Sequence, residues 1–237
     1  MEVGSTSIES HRTFEFDDIK VNITEILTTD ISGKIEQHGA HLWPAAPVLA
    51  AAIARLYPKD IGGDVIELGC GVSLPGIAAA TRSSRVLLTD GFESGLTAAK
   101  MSIETNKKQI FCNESIVSVH KLRWNNQSEI DEVLAQSPNL KLVIAADCLY
   151  PDLSNWPSFF FTLFALLNSN SNCHPKALIA FHKRNSFQTF QPFLDFWKLK
   201  ARLIPLSCMG LDLEDNIGGT KLPGPNTGSV QLYEIAL

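Results

Sequence analysis

The sequence predicts an α/β fold: a seven-stranded, mostly parallel sheet with helices on both faces, preceded by a β-hairpin. Two observations predict it. From Gly63 onward short apolar runs alternate with helical stretches, the rhythm of a parallel sheet with crossover helices. The last two runs, "ARLIPLS" and "SVQLYEIAL", have only a Gly- and Pro-rich loop between them, which predicts an antiparallel pair closing one sheet edge.

The elements follow in order. "RTFEFDDIKVNITEIL" alternates in the strand manner and predicts the hairpin, turning near Asp17 and Asp18. "GAHLWPAAPVLAAAIARLYP" reads as a loop delivering Trp43 and Pro44 into a helix of about a dozen residues that ends before Pro58. "DVIEL" (64–68), "RVLLTD" (85–90), "SIVSVH" (115–120), "LKLVIAAD" (140–147) and "KALIAFH" (176–182) supply five strands. Residues 74–82, 92–108, 128–136, 154–168 and 186–199 read as the helices between and after them. Pro75 sits in a first helical turn, where its missing N–H has no helical partner to lose. Residues 169–176 and 210–228 are too polar or too rich in Gly and Pro for core elements. The expected division is an N-terminal extension over 1–38, carrying the hairpin, and one domain over 39–237.

Composition narrows the function classes. At 237 residues and 45% hydrophobic, the chain fills a substantial core. A formal net charge of -5 argues against a broad cationic surface, so nucleic acid is not an expected partner. No stretch reaches the roughly 18 to 20 apolar residues of a bilayer crossing. The first twenty residues carry acids and no apolar run, unlike a secretory signal. The five cysteines are odd in number, scattered and never spaced C-x-x-C, so neither a disulfide framework nor a metal site is expected. A reduced, monomeric protein of the cytosol or nucleus is the expectation.

The chemistry lies in "VIELGCGVSLPG", a strand running into Gly69, Cys70 and Gly71. A P-loop requires G-x-x-x-x-G-K-[ST], and Ile77 stands where its lysine belongs. The dinucleotide fingerprint fails too, because its third glycine falls at Leu74. Glu67, two residues before Gly69, would repel a diphosphate and attract a cationic ligand such as an ammonium or a sulfonium. Asp90, at the end of the second sheet strand, is placed to accept hydrogen bonds from both ribose hydroxyls, the alternative being a loop acid or helix cap. An adenosine with a cationic tail is S-adenosyl-L-methionine. Trp124, in "KLRWNN", lies where the adenine ring passes, and Trp43 comes from the added segment to close over the methionine end; half-buried packing is the alternative for each.

"LWPAAPVLA", "VIELGCGVSLPGI", "LTD", "LRW" and "AADCLY" together resemble the seven-strand protein methyltransferases of methyltransferase family 16. The match runs from about Gly39 to Tyr150, and Asp147 to Tyr150 are similar to that family's D-x-x-Y hallmark. "LIPL" followed by "TKLPGPNTGSVQL" looks most like its methyltransferase-like protein 23 subgroup. The resemblance implies a Rossmann-like class I methyltransferase fold and a cofactor site using Trp43, the backbone of Gly69, Cys70 and Gly71, Asp90, Trp124 and Ala146. It implies Asp147 and Tyr150 facing the transferred methyl. It implies mostly lysine side chains of intracellular proteins as substrates, with arginine on histone H3 for the subgroup.

Lysine is the first expectation. A guanidinium is commonly gripped by paired carboxylates, and only Asp147 and Asp152 are candidates here. An amine needs only to be neutral, which an aromatic wall, a nearby cation and little water favour. Arginine remains the near alternative. A small-molecule methyltransferase and an inactive adenosine-binding partner subunit stand further off; the short hairpin in place of a helical lid speaks for an open, protein-binding face.

Overall fold

A strand with no polar face needs cover on both sides, and every residue of Asp64–Leu68 is buried. The chain provides that cover. A computed structural model describes residues 6–29, 40–57, 59–112, 114–149, 153–169, 174–183, 189–209 and 230–237. The hairpin is β1 (Thr6–Phe16) and β2 (Ile19–Thr29), turning at Asp17, whose φ is 53°. After α1 (Ala45–Leu56) come β3 (Asp64–Leu68), α2 (Leu74–Ala80), β4 (Arg85–Asp90), α3 (Glu93–Thr105), α4 (Lys107–Cys112) and β5 (Ile116–Lys121). Then follow α5 (Gln127–Ala135), β6 (Leu140–Ala146), α6 (Trp156–Leu167), β7 (Lys176–His182), α7 (Gln191–Trp197), β8 (Lys200–Ile204) and β9 (Val230–Ala236).

The seven-stranded sheet has the order β5-β4-β3-β6-β7-β9-β8. β3 to β7 pair in parallel, and β9 lies antiparallel between β7 and β8. The chain winds outward through β4 and β5 on one side of β3 and returns to β6 on the other, so a crevice opens at the carboxyl end of β3. Alternation along β3 puts Val65 in the core under α1, α2 and α3, and Ile66 and Leu68 in the core under α5, α6 and α7. Glu67 shares the Val65 face.

Two features depart from the expectation. Residues 92–108 form one helix in the sequence reading, yet the helix breaks at Asn106. That side chain is taken by β2: Asn106 Nδ2 donates to the Asn22 carbonyl at 2.6 Å, and Asn106 Oδ1 accepts the Asn22 N–H at 2.9 Å. The hairpin strands are also longer than expected, and Phe14, Phe16, Ile19, Val21 and Ile23 are buried in the core shared with α1, α2 and α3. Each contributes about 1.5–3 kcal/mol relative to exposure. Among the described residues no helix is long and apolar enough to cross a membrane, and no cluster of three or more His, Cys, Asp or Glu is arranged for a metal.

Candidate active site

The turn after β3 is forced by backbone conformation. Gly69 (φ 59°), Gly71 (φ 48°) and Ser73 (φ 59°) all lie in the left-handed region, which the two glycines enter without steric cost. Cys70 N–H donates to the Thr89 carbonyl at 2.9 Å, tying the turn to the end of β4. A Cβ on Gly69 would stand 2.8 Å from Cys148 Sγ, so the turn is pressed against the residues that follow β6.

Two carboxyl groups face this turn. Glu67 is 1% exposed, and its Oε2 makes no hydrogen bond among the described residues. Burial lifts its pKa well above the usual glutamate range; the approaching Gly76 N–H offsets part of that without full hydrogen-bond geometry, and the Asp90 charge adds to it. Asp90 is 6% exposed. Its Oδ2 accepts the Gly71 N–H at 3.1 Å and its Oδ1 the Phe92 N–H at 2.9 Å. Burial raises its pKa as well, against the pull of the Phe92, Gly71 and Gly91 N–H groups.

Above them lies a cleft of about 370 Å³. Trp43, Glu67, Gly69, Cys70, Gly71, Asp90, Trp124 and Ala146, the eight residues expected to hold the cofactor, all line it. Trp124 stands edge-on to Phe159 with ring centroids 5.1 Å apart, which fixes its plane, and Trp43 meets His41 edge-on at 5.2 Å. Of the two residues expected to face the transferred methyl, Asp147 is among the described residues. Asp147 is 1% exposed with φ 55°, its Oδ1 accepting the His182 N–H at 2.9 Å and its Oδ2 the Ala45 N–H at 3.3 Å. It does not line the cleft; it braces the start of α1 against the end of β7. Tyr150 and Asp152 lie outside the described residues.

Several lining residues escape sequence reading. Phe92, 75% exposed, forms an aromatic rim two residues past Asp90, and Asn155 and Ser158 line the cleft from the start of α6. Gly76 and Gly95 matter for what they lack. A Cβ on Gly76 would collide with Glu67 Oε2, and one on Gly95 with the Asp90 carboxyl group. Their signal was present in "LPGI" and "ESGL": a glycine inside a helix costs about 1 kcal/mol relative to alanine, so it marks a close approach.

Known proteins bear on this geometry. The profile of a family described as lysine methyltransferase, methyltransferase family 16, matches residues 22–196. The histone-arginine methyltransferase METTL23 of Mus musculus is 30% identical over 204 residues, 84% of this chain and 75% of that protein. The calmodulin-lysine N-methyltransferase of Arabidopsis thaliana is 34% identical over 110 residues, 46% of this chain and 34% of that protein. Among solved structures, a 16S rRNA N2-guanine methyltransferase of T. thermophilus bound to AdoMet and guanosine shares the fold. Its TM-score is 0.58 at 12% identity, covering 98% of this chain and 51% of that one.

S-adenosyl-L-methionine is the cofactor, and the cleft's own chemistry fits it. Glu67 lines the cleft as a carboxyl group that suits a cationic group, Asp90 keeps lone pairs for hydroxyl donors, and two tryptophan rings offer flat walls to a base. Because the family profile runs from the hairpin strand β2 through α7 and so takes in the whole cleft, the chain belongs to the lysine methyltransferase family.

Proposed function

We propose that the protein transfers a methyl group from S-adenosyl-L-methionine to the side-chain amine of a lysine in a protein substrate. The observation that carries the choice of lysine is the placing of the acids. Among the described residues the cleft is lined by two carboxyl groups, Glu67 and Asp90, and both belong to the cofactor turn. Asp147 is engaged by the Ala45 and His182 N–H groups and is not one of the lining residues. A paired-carboxylate grip for a guanidinium is absent from that set, whereas an amine needs only a dry site.

In this reading Asp90 accepts the ribose hydroxyls, Glu67 faces the cationic end, and Trp124 and Trp43 wall the base and the methionine end. Bound there, S-adenosyl-L-methionine supplies a methyl group on a positive sulfur, which keeps the C–S electron pair as the amine lone pair takes the carbon. The aromatic rim of Phe92 and the rings of Trp43 and Trp124 keep water out and lower the amine's pKa, so that its proton leaves to solvent before attack. Tyr150 adds a further aromatic wall by the family resemblance. Holding nitrogen, carbon and sulfur in line then supplies most of the acceleration. The reading goes with a reducing compartment, cytosol or nucleus, since Cys70, Cys148 and Cys208 are free thiols.

Arginine is the second reading, favoured by the printed name of the Mus musculus relative, which matches 84% of this chain. The full chain incubated with radiolabelled cofactor and cell extract should label protein bands. Mass spectrometry of the labelled peptide should find methyl-lysine; methyl-arginine would replace the first reading by the second. Label confined to small molecules would overturn both.

A further inference from the structure

The hairpin forms its own two-stranded sheet and contributes no residue of the lining named above, yet one of its side chains reaches the wall of the cleft. Glu25, near the end of β2, is 4% exposed. Its Oε1 accepts the Leu42 N–H at 2.8 Å and faces His41 Nδ1 at 3.1 Å, while its Oε2 accepts from the Arg12 guanidinium at 3.2 Å. His41, Leu42 and Trp43 are consecutive and all line the cleft. Two residues past Trp43, the Ala45 N–H is held by Asp147, and the Ala46 N–H donates to the Trp43 carbonyl at 3.0 Å.

We infer that Glu25 is a positioning residue for the cofactor: by holding the Leu42 N–H it fixes where the Trp43 ring stands. The segment 42–45 is thus gripped at both ends by buried carboxyl groups, one from the hairpin and one from the end of β6. Each grip orders a backbone N–H that would otherwise be an unsatisfied donor beside the core. A segment held at both ends presents its middle side chain in one orientation, and a wall already ordered before the ligand arrives lowers the entropy cost of binding. With burial working to raise its pKa and His41, the Leu42 N–H and Arg12 outweighing that, the Glu25 carboxyl stays below the usual glutamate range and remains charged at neutral pH. The hairpin is therefore part of the cofactor site through Glu25, and its buried aromatic face secures the strand that carries it.

This inference rests on Trp43 walling the cofactor, so its test separates the two. Calorimetric titration with S-adenosylhomocysteine is done on the full chain, on Glu25→Ala, on Trp43→Ala and on the double variant, with the melting temperature of each. Glu25→Ala should weaken binding about tenfold, the worth of one charge-assisted hydrogen bond. In the Trp43→Ala background the same change should leave affinity within about twofold, although it lowers the melting temperature as before. Glu25→Gln, which keeps a carbonyl oxygen for the Leu42 N–H, should recover most of the affinity; it also carries the cycle, with a smaller change in the same direction, if Glu25→Ala does not fold. An equal loss with and without Trp43, or no loss in either, overturns the role of Glu25. A Trp43→Ala variant that binds like the natural protein removes Trp43 from the site and the inference with it. A natural protein that binds no S-adenosylhomocysteine overturns the cofactor assignment itself.

Discussion

Glu67 and Glu25 are the same residue type, both nearly closed to solvent, and they differ in what meets their oxygens. Glu67 stands at the carboxyl edge of the sheet with Oε2 unpartnered among the described residues and a pKa pushed up by burial. Glu25 stands in the hairpin with a backbone N–H, a guanidinium and an imidazole around it, and its pKa is held down against burial. The difference teaches that burial alone assigns no role to an acid. A carboxyl group whose donors are supplied by the protein is a brace; one that faces a cleft without them is complementary to a ligand's cation. Asp147 looks like a ligand-facing acid by its D-x-x-Y setting, yet its oxygens accept from the Ala45 and His182 N–H groups as a brace's do.

The sharpest way to break this comparison is Asp147→Ala. It strands the Ala45 and His182 N–H groups, and urea unfolding should register a loss on the order of 3 kcal/mol. Asp147→Asn should recover part of it, since one acceptor oxygen returns and asparagine tolerates a positive φ. An alanine variant as stable as the natural protein would end the reading of Asp147 as a brace. Asp90→Ala comes next and should weaken S-adenosylhomocysteine binding by about 1 to 3 kcal/mol in calorimetry; unchanged affinity would remove Asp90 from the ribose site.

The smallest effect sharpens the contrast between the two glutamates. Glu67, raised above the ordinary 4.5, contributes stability that is full below that pH and declines as pH rises toward its folded value. Relative to Glu67→Gln, the natural protein should therefore lose stability as pH rises across that window. Glu25, lowered from 4.5, has the opposite sign: its contribution is present above that pH and is lost as pH falls through its folded value. Unfolding free energies of the two glutamine variants, followed against pH with no cofactor added, should slope in opposite directions relative to the natural protein. Parallel slopes would mean that the two carboxyl groups sit in equivalent surroundings.

How much of this was legible in the sequence depends on the distance over which each feature is decided. The apolar runs of β3, β4, β6 and β7 and the glycine turn that follows β3 are written in neighbouring residues, and they were read correctly. The break at Asn106 was not readable, because its cause is Asn22, 84 residues away in sequence. Gly76 and Gly95 carried a local signal, an unexplained glycine in a helix, but not the identity of the group pressed against them.

By itself the sequence determined the strand and helix order and the mostly parallel sheet, and with the family resemblance it pointed to eight of the residues that line the cleft, from Trp43 to Ala146. Periodicity and turn conformation are local properties, and a strand-end residue is carried to the crevice by the winding of the sheet. Only the tertiary structure decided which buried acids are braces, since the donors that meet Asp147 and Glu25 arrive from segments 102 and 17 residues away. A carboxyl group's role is set by the N–H groups that fill its lone pairs, and those come together only when the chain has folded.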